Sequence, residues 1–157
     1  MTEHAFWTRM DQVSASRKMP KEEKTQQIAN LLVLAYKDDL SIWISAAKLP
    51  DGQYHQGIIC LYPDRPNTPN SRFLICYTSS LAGSNDSLGC ASIKLSAVLG
   101  NMLNKNAIGG LIFNRNAGKN GAILVPKFLM QALLGSVPPP EGFVDMGGIW
   151  NGHEVIK

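Results

Sequence analysis

Apolar positions along the chain fall into blocks whose spacing assigns most of the elements. Residues 3–14 set Phe6, Met10 and Val13 at i, i+4 and i+7, the stripe of a short amphipathic helix that Ser14-Ala15-Ser16 breaks. Pro20 suits the first turn of a second helix, where its missing N–H costs nothing, and Glu22 and Glu23 favour the positive end of the helix dipole. In that helix Ile28, Leu31, Leu32, Ala35 and Tyr36 form a core-facing stripe that ends near Asp38-Asp39. Leu95, Val98, Leu99, Met102 and Leu103 make a third stripe. Pro126 opens a fourth helix, with Phe128, Leu129, Leu133 and Leu134 inward and Gly135 closing it.

The strand blocks are shorter. Residues 40–48 satisfy two templates, since Ile42, Ile44 and Ala46 alternate while Leu40, Trp43, Ile44 and Ala47 also fit a helix. The turn Leu49-Pro50-Asp51-Gly52 and the β-like residues 57–62 beyond it favour a strand. Residues 63–71, with three prolines, read as a stiff connection rather than a polyproline ligand. In residues 72–79 Phe73, Ile75 and Tyr77 alternate with Leu74, Cys76 and Thr78, and both sets are largely apolar. A strand of that kind belongs in the middle of a sheet, covered on each side. Residues 81–89 are loop, and residues 108–113 and 122–125 are strands joined by the turn-rich NRNAGKNG. These elements specify an α+β fold over residues 1–134, a single domain with a mostly antiparallel central sheet of about five strands and flanking helices.

Beyond residue 134 the composition changes. Residues 135–157 are rich in proline and glycine, yet they carry Phe143, Ile149 and Trp150. That is too many apolar groups for a solvated tail, so this extension is expected to pack back on the domain or against another subunit. A protein partner or a homo-oligomer follows as an expectation.

Composition removes several classes. The chain has 157 residues, 45% hydrophobic and 17% charged, the latter below the ~25% usual for soluble domains, which excludes a disordered chain. No run of ~20 apolar residues exists, so no transmembrane helix is predicted. The +3 net charge is spread along the chain, and its first cluster, Arg17, Lys18, Lys21 and Lys24, is interleaved with Glu22 and Glu23. That mixture reads as solvated surface charge, and nucleic-acid binding through it and the cations Arg115 and Lys119 is the weaker alternative. Cys60, Cys76 and Cys90 are odd in number and widely spaced, against a disulfide framework or a zinc site. With no secretory signal at the start, a cytoplasmic address is expected.

Candidate chemistry is sparse. His4, His55 and His153 lack ligand spacing, so no metal is predicted, and no paired carboxylates can be argued from spacing. Gly109-Gly110 begins a strand, whereas a phosphate cradle follows one and opens a helix. A cysteine-dependent hydrolase or transferase, pairing Cys76 or Cys90 with His55, is the enzymatic alternative. Against it, Cys60 and Cys76 sit mid-strand, where cysteine behaves as a small hydrophobe. No catalytic residue and no cofactor is therefore assigned.

Residues 72–134 carry a set of short motifs: Tyr77-Thr78-Ser79 at a strand end, a helix over 95–103, Gly110-Leu111-Ile112-Phe113-Asn114, and Val125-Pro126-Lys127 entering a helix. Taken together this stretch resembles the SseB N-terminal domain family, named for enhanced serine sensitivity. Arg115 stands where that family commonly has proline, and residues beyond 135 are not covered. The resemblance implies a bacterial protein without an assigned catalytic activity; with no convergent acid–base set and surplus apolar groups in the extension, the expectation is a non-enzymatic module that binds a protein partner or a small ligand. Its site would lie where Tyr77, Thr78, Ser79 and Ser80 meet Asn114 and Arg115. The same motifs also have a structural explanation, since Ser and Thr end strands by bonding backbone and Asn tolerates turns.

Overall fold

The computed structural model describes residues 1–51, 54–61, 64, 68–117, 121–138 and 154–155, in which four helices lie against one open sheet. Thr2 caps helix α1 (Glu3–Ala15) by accepting the Ala5 amide on Oγ1 at 3.1 Å, and Phe6, Met10 and Val13 are its buried apolar residues, as their spacing predicts. Helix α2 (Lys21–Lys37) begins one residue after Pro20, which is its N-cap, and buries Ile28, Leu31, Leu32 and Ala35. It also buries Lys24, which the polar pattern had placed in solvent.

The chain then enters the sheet. Residues 41–48 are strand β1 (Ser41–Lys48), so the alternating template prevails over the helical one. Tertiary pairing decides this, because β1 has partners on both sides. Strands β2 (Tyr54–Gln56) and β3 (Ile58–Cys60) follow, then β4 (Arg72–Tyr77), β5 (Cys90–Lys94), helix α3 (Leu95–Asn104), β6 (Ile108–Phe113), β7 (Ile123–Pro126) and helix α4 (Lys127–Leu134). Across the sheet the order is β5-β1-β4-β6-β7, antiparallel throughout except for β4 and β6, which run parallel. Strands β1 and β4 pair only where Trp43 and Ile44 face Tyr77 and Cys76. Beyond that point β2 pairs with β1 and β3 with β4, both antiparallel. Gly57 sits at the apex of this fork, its N–H donating to Ser45 O at 2.7 Å and its carbonyl accepting the Ile75 amide at 3.0 Å. A Cβ there would lie 2.1 Å from Ser45 Oγ, so only glycine closes the fork.

Strand β3 falls within the expected stretch 57–62, while β2, which precedes it, and β5 raise the strand number above the five read from sequence. The backbone of Glu154–Val155 (β8) adds a parallel pairing to Ile59 and Cys60. Residue 62 of the expected strand 57–62, residues 63 and 65–67 of the proline-rich connection, and Phe143, Ile149 and Trp150 of the extension lie outside the described residues.

All four helices contribute to the larger core, on the sheet face that carries Ile42, Ile44, Leu74, Cys76, Leu111 and Phe113. The other face carries a smaller cluster of Ile59, Phe73, Ile75, Tyr77 and Ile112. Strand β4 supplies both, which is why its two alternating sets are equally apolar. Each fully buried aliphatic or aromatic side chain contributes about 1.5–3 kcal/mol. Helix α4 corrects the expected facing. Phe128 is 72% exposed and Leu133 is 39% exposed, while Met130 is buried and Leu129 and Leu134 pack partly against the core. An eight-residue helix apolar on most sides contains more than one plausible stripe, and docking chooses between them.

Candidate functional site

Because β4 and β6 are parallel neighbours, the residues that follow them emerge at the same end of the sheet. Thr78 and Ser79 follow β4, and Asn114 follows β6. The carboxyl ends of adjacent parallel strands are the usual place for a binding crevice in open sheets, since the following loops diverge there. Helix α1 lies across this end. Its Glu3 carboxylate accepts the Ser41 amide at 2.6 Å, and the Trp7 indole donates to Ser41 O at 3.1 Å and packs on Trp43, ring centroids 5.4 Å apart.

A buried hydrogen-bond network ties these pieces together. Asn114 adopts φ 53°, a left-handed conformation that asparagine tolerates better than most residues. Its Oδ1 accepts the Thr78 amide at 3.1 Å, and its Nδ2 donates to Thr78 Oγ1 at 2.8 Å and to Ser14 Oγ at 2.9 Å. Thr78 Oγ1 in turn donates to Asp11 Oδ1. The Lys24 ammonium, on a side chain of a residue only 5% exposed, donates to the Ser14 carbonyl at 2.9 Å. One asparagine thus joins two strand ends to α1, and a lysine joins α1 to α2.

Outside this network lies an open cleft of about 890 Å³. Its wall includes Asp11, Ser14, Ser16 and Asn114, the loop residues Ser79, Leu81 and Ala82, and the cations Arg17, Lys21 and Lys24. Among its described residues Asp11 is the sole acid, and there is neither histidine nor cysteine.

The residues singled out from sequence therefore divide. Ser79 and Asn114 line the cleft, and Thr78 is fully buried behind it as part of the network. Ser80 is exposed and outside the wall. Tyr77 belongs to the opposite face of the sheet, where its hydroxyl donates to Asp86 Oδ2 and Arg115 lies beside it. Asp86 also accepts the Leu88 and Gly89 amides on Oδ1, at 2.9 and 3.1 Å, so this second group pins the loop between β4 and β5. Burial, and then the Asp86 carboxylate, push the Tyr77 phenol above its ordinary range.

The sequence reading missed Asp11, Ser14, Ser16, Arg17, Lys21 and Lys24 as parts of a site. The available signal was the cationic run 17–24 directly after a helix break, which the interleaved Glu22 and Glu23 disguised as solvated charge. The thiols stand apart from the cleft. Cys60 and Cys76 are buried in strands, and burial pushes the Cys76 thiol well above its ordinary range. Burial and the neighbouring Asp86 raise Cys90 to about 11. Thiols held protonated in this way are poor nucleophiles at neutral pH. Among the described residues no group of three His, Cys, Asp or Glu side chains is placed to hold a metal ion, and no helix is long and apolar enough to cross a membrane.

No protein-family model, curated protein or solved structure matches this chain.

Proposed function

We propose that this is a non-enzymatic, SseB-like binding module whose small ligand occupies the cleft between α1, the start of α2 and the ends of β4 and β6. The observation that carries this reading is the preformed cleft itself. Its volume of about 890 Å³ lies within the ~300–1,000 Å³ usual for organic ligands. Its floor is held by a buried network, so a ligand meets polar groups whose positions are already set. The wall offers hydroxyls, an amide and ammonium groups that can orient a ligand, but no acid–base pair among its described residues to transform one. Cysteines kept as thiols suit a reducing compartment, and a cytoplasmic setting belongs to the proposal.

Fragment screening by amide chemical-shift mapping on the intact chain tests the reading. Hits are expected to perturb residues 14–24, 79–82 and 114–117 together. A library whose hits scatter over the surface, or fall elsewhere, would overturn it.

A further inference from the structure

We infer that the ligand of this cleft is a small organic anion, a carboxylate or phosphate bearing an apolar body; this rests on the cleft being the binding site. Three cationic side chains, Arg17, Lys21 and Lys24, share the wall with a single carboxylate, Asp11. That carboxylate already accepts a hydrogen bond from Thr78. The imbalance is local. Over the whole chain 15 Lys and Arg stand against 12 Asp and Glu, so a cavity wall at three to one is richer in cations than the chain as a whole.

The cations also differ in role. Lys24 is buried and fixed on the Ser14 carbonyl, which holds a positive charge in the wall where water screens it little. Arg17 is exposed and has no hydrogen-bond or ion-pair partner among the described residues, so its guanidinium fork is available to a carboxylate or phosphate. The N-terminus of α2, where Lys21 lies, has Pro20 as its cap and no side-chain cap bond, and its dipole adds the same sign. Glu22 and Glu23 of that first turn are exposed and are not wall residues.

The apolar half of the assignment comes from the remaining wall. Leu81 is 80% exposed at the cleft, on a loop pinned by Asp86 and packed tightly over Tyr77 at Gly83. With Ala15, Met19 and Ala82 it supplies an apolar part of the same wall that holds the cations. A bare inorganic ion would leave that part wet, whereas an anion with an alkyl or aryl body covers it.

Amide-detected titrations at fixed ionic strength, with phenyl phosphate, hexanoate, inorganic phosphate and neutral hexanol, read this directly. Phenyl phosphate or hexanoate is expected to perturb residues 14–24, 79–82 and 114–117, and to bind at least about 5-fold more tightly than inorganic phosphate or hexanol. Arg17→Ala and Lys21→Ala should each weaken the organic anion about 5-fold or more, leaving hexanol unchanged. Lys18→Ala, an exposed cation outside the wall, should change neither, and thermal melts confirm that each variant is folded. If hexanol and hexanoate bind this cleft equally, or Arg17→Ala and Lys21→Ala bind anions as the parent does, the anionic assignment fails while the cleft remains a binding site. Anion shifts spread evenly over all surface cations would overturn it as well. If no probe of any charge reaches the cleft, the binding reading falls with it.

Discussion

Replacing Asn114 by alanine removes three hydrogen bonds from the junction between α1 and the sheet. The bond that matters most is the one to the Thr78 amide, 3.1 Å from Asn114 Oδ1 in a residue with no exposed surface. A buried N–H left without an acceptor costs about 1–3 kcal/mol. The two bonds donated by Nδ2, to Ser14 and Thr78, are cheaper to lose because those hydroxyls can rotate, and Thr78 Oγ1 keeps Asp11. Alanine must also hold φ 53°, at about 1 kcal/mol. The total is about 3 kcal/mol, a fall in melting temperature of roughly 6–12 °C for a domain of this size. Urea denaturation, fitted for midpoint and slope, measures it. Asn114→Gly isolates the backbone share, since glycine relieves the left-handed strain but restores no bond, and it should recover about 1 kcal/mol of the loss. Were Asn114→Ala within about 0.5 kcal/mol of the parent, the range of an ordinary surface substitution, the network could not be what fixes α1 to the sheet ends.

Further outcomes follow from the same structure. Stability should decline in alkali: Cys76 and Cys90 keep protons in the folded state that the unfolded chain releases above 9.0, and Tyr77 one that it releases above 10.0, so their contribution is full below about pH 9, the Cys90 share is lost as pH rises through about 11, and the Cys76 and Tyr77 shares are lost at still higher pH. Lys127, lowered by burial, gives the opposite slope just below 10.5, one group against three, and a urea midpoint that stays flat or rises between pH 8 and 11 would contradict the expectation. At pH 8 the Cys90 thiol, raised from 9.0 to about 11, should label about 100-fold more slowly than a free peptide thiol, and Cys60 and Cys76 only on unfolding. Labelling of any of them at the free-thiol rate would reopen a cysteine-based enzyme. Gly57→Ala forces a Cβ to 2.1 Å from Ser45 Oγ and should cost about 1–3 kcal/mol, partly recovered by adding Ser45→Gly; loss that the second change leaves untouched would argue against that clash. Phe128→Ser should stay within about 0.5 kcal/mol of the parent while Met130→Ala loses about 2–5 kcal/mol, and the reverse order in a denaturation series would mean that α4 is turned the other way.

What was legible in the sequence was what local spacing dictates. Phe6, Met10 and Val13, or Ile28, Leu31, Leu32 and Ala35, can share a helix face only one way, and they are buried. The two-sided apolar run in β4 could only be central to a sheet, and it is. The convergence of Thr78 and Asn114 was visible only through motifs, because they are separated by 36 positions and nothing local brings them together.

Where local patterns were weak or ambiguous, the tertiary structure decided. Strand β5 carries polar and small residues and only half-buried apolar ones, since it is held from one side by β1, so its pattern is faint. The break at Gly57 depends on the divergence of β1 from β4, a property of neither strand alone. Lys24 is buried because its ammonium reaches Ser14 across an interhelical turn, a partner no periodicity names. The cleft is of the same kind: its cations come from residues 17–24, its polar floor from the ends of β4 and β6, and its apolar portion partly from the loop after β4. Hydrophobic periodicity determines which face of each element is hidden. Which polar groups then stand opposite one another depends on how those faces dock, and that information is shared among distant segments.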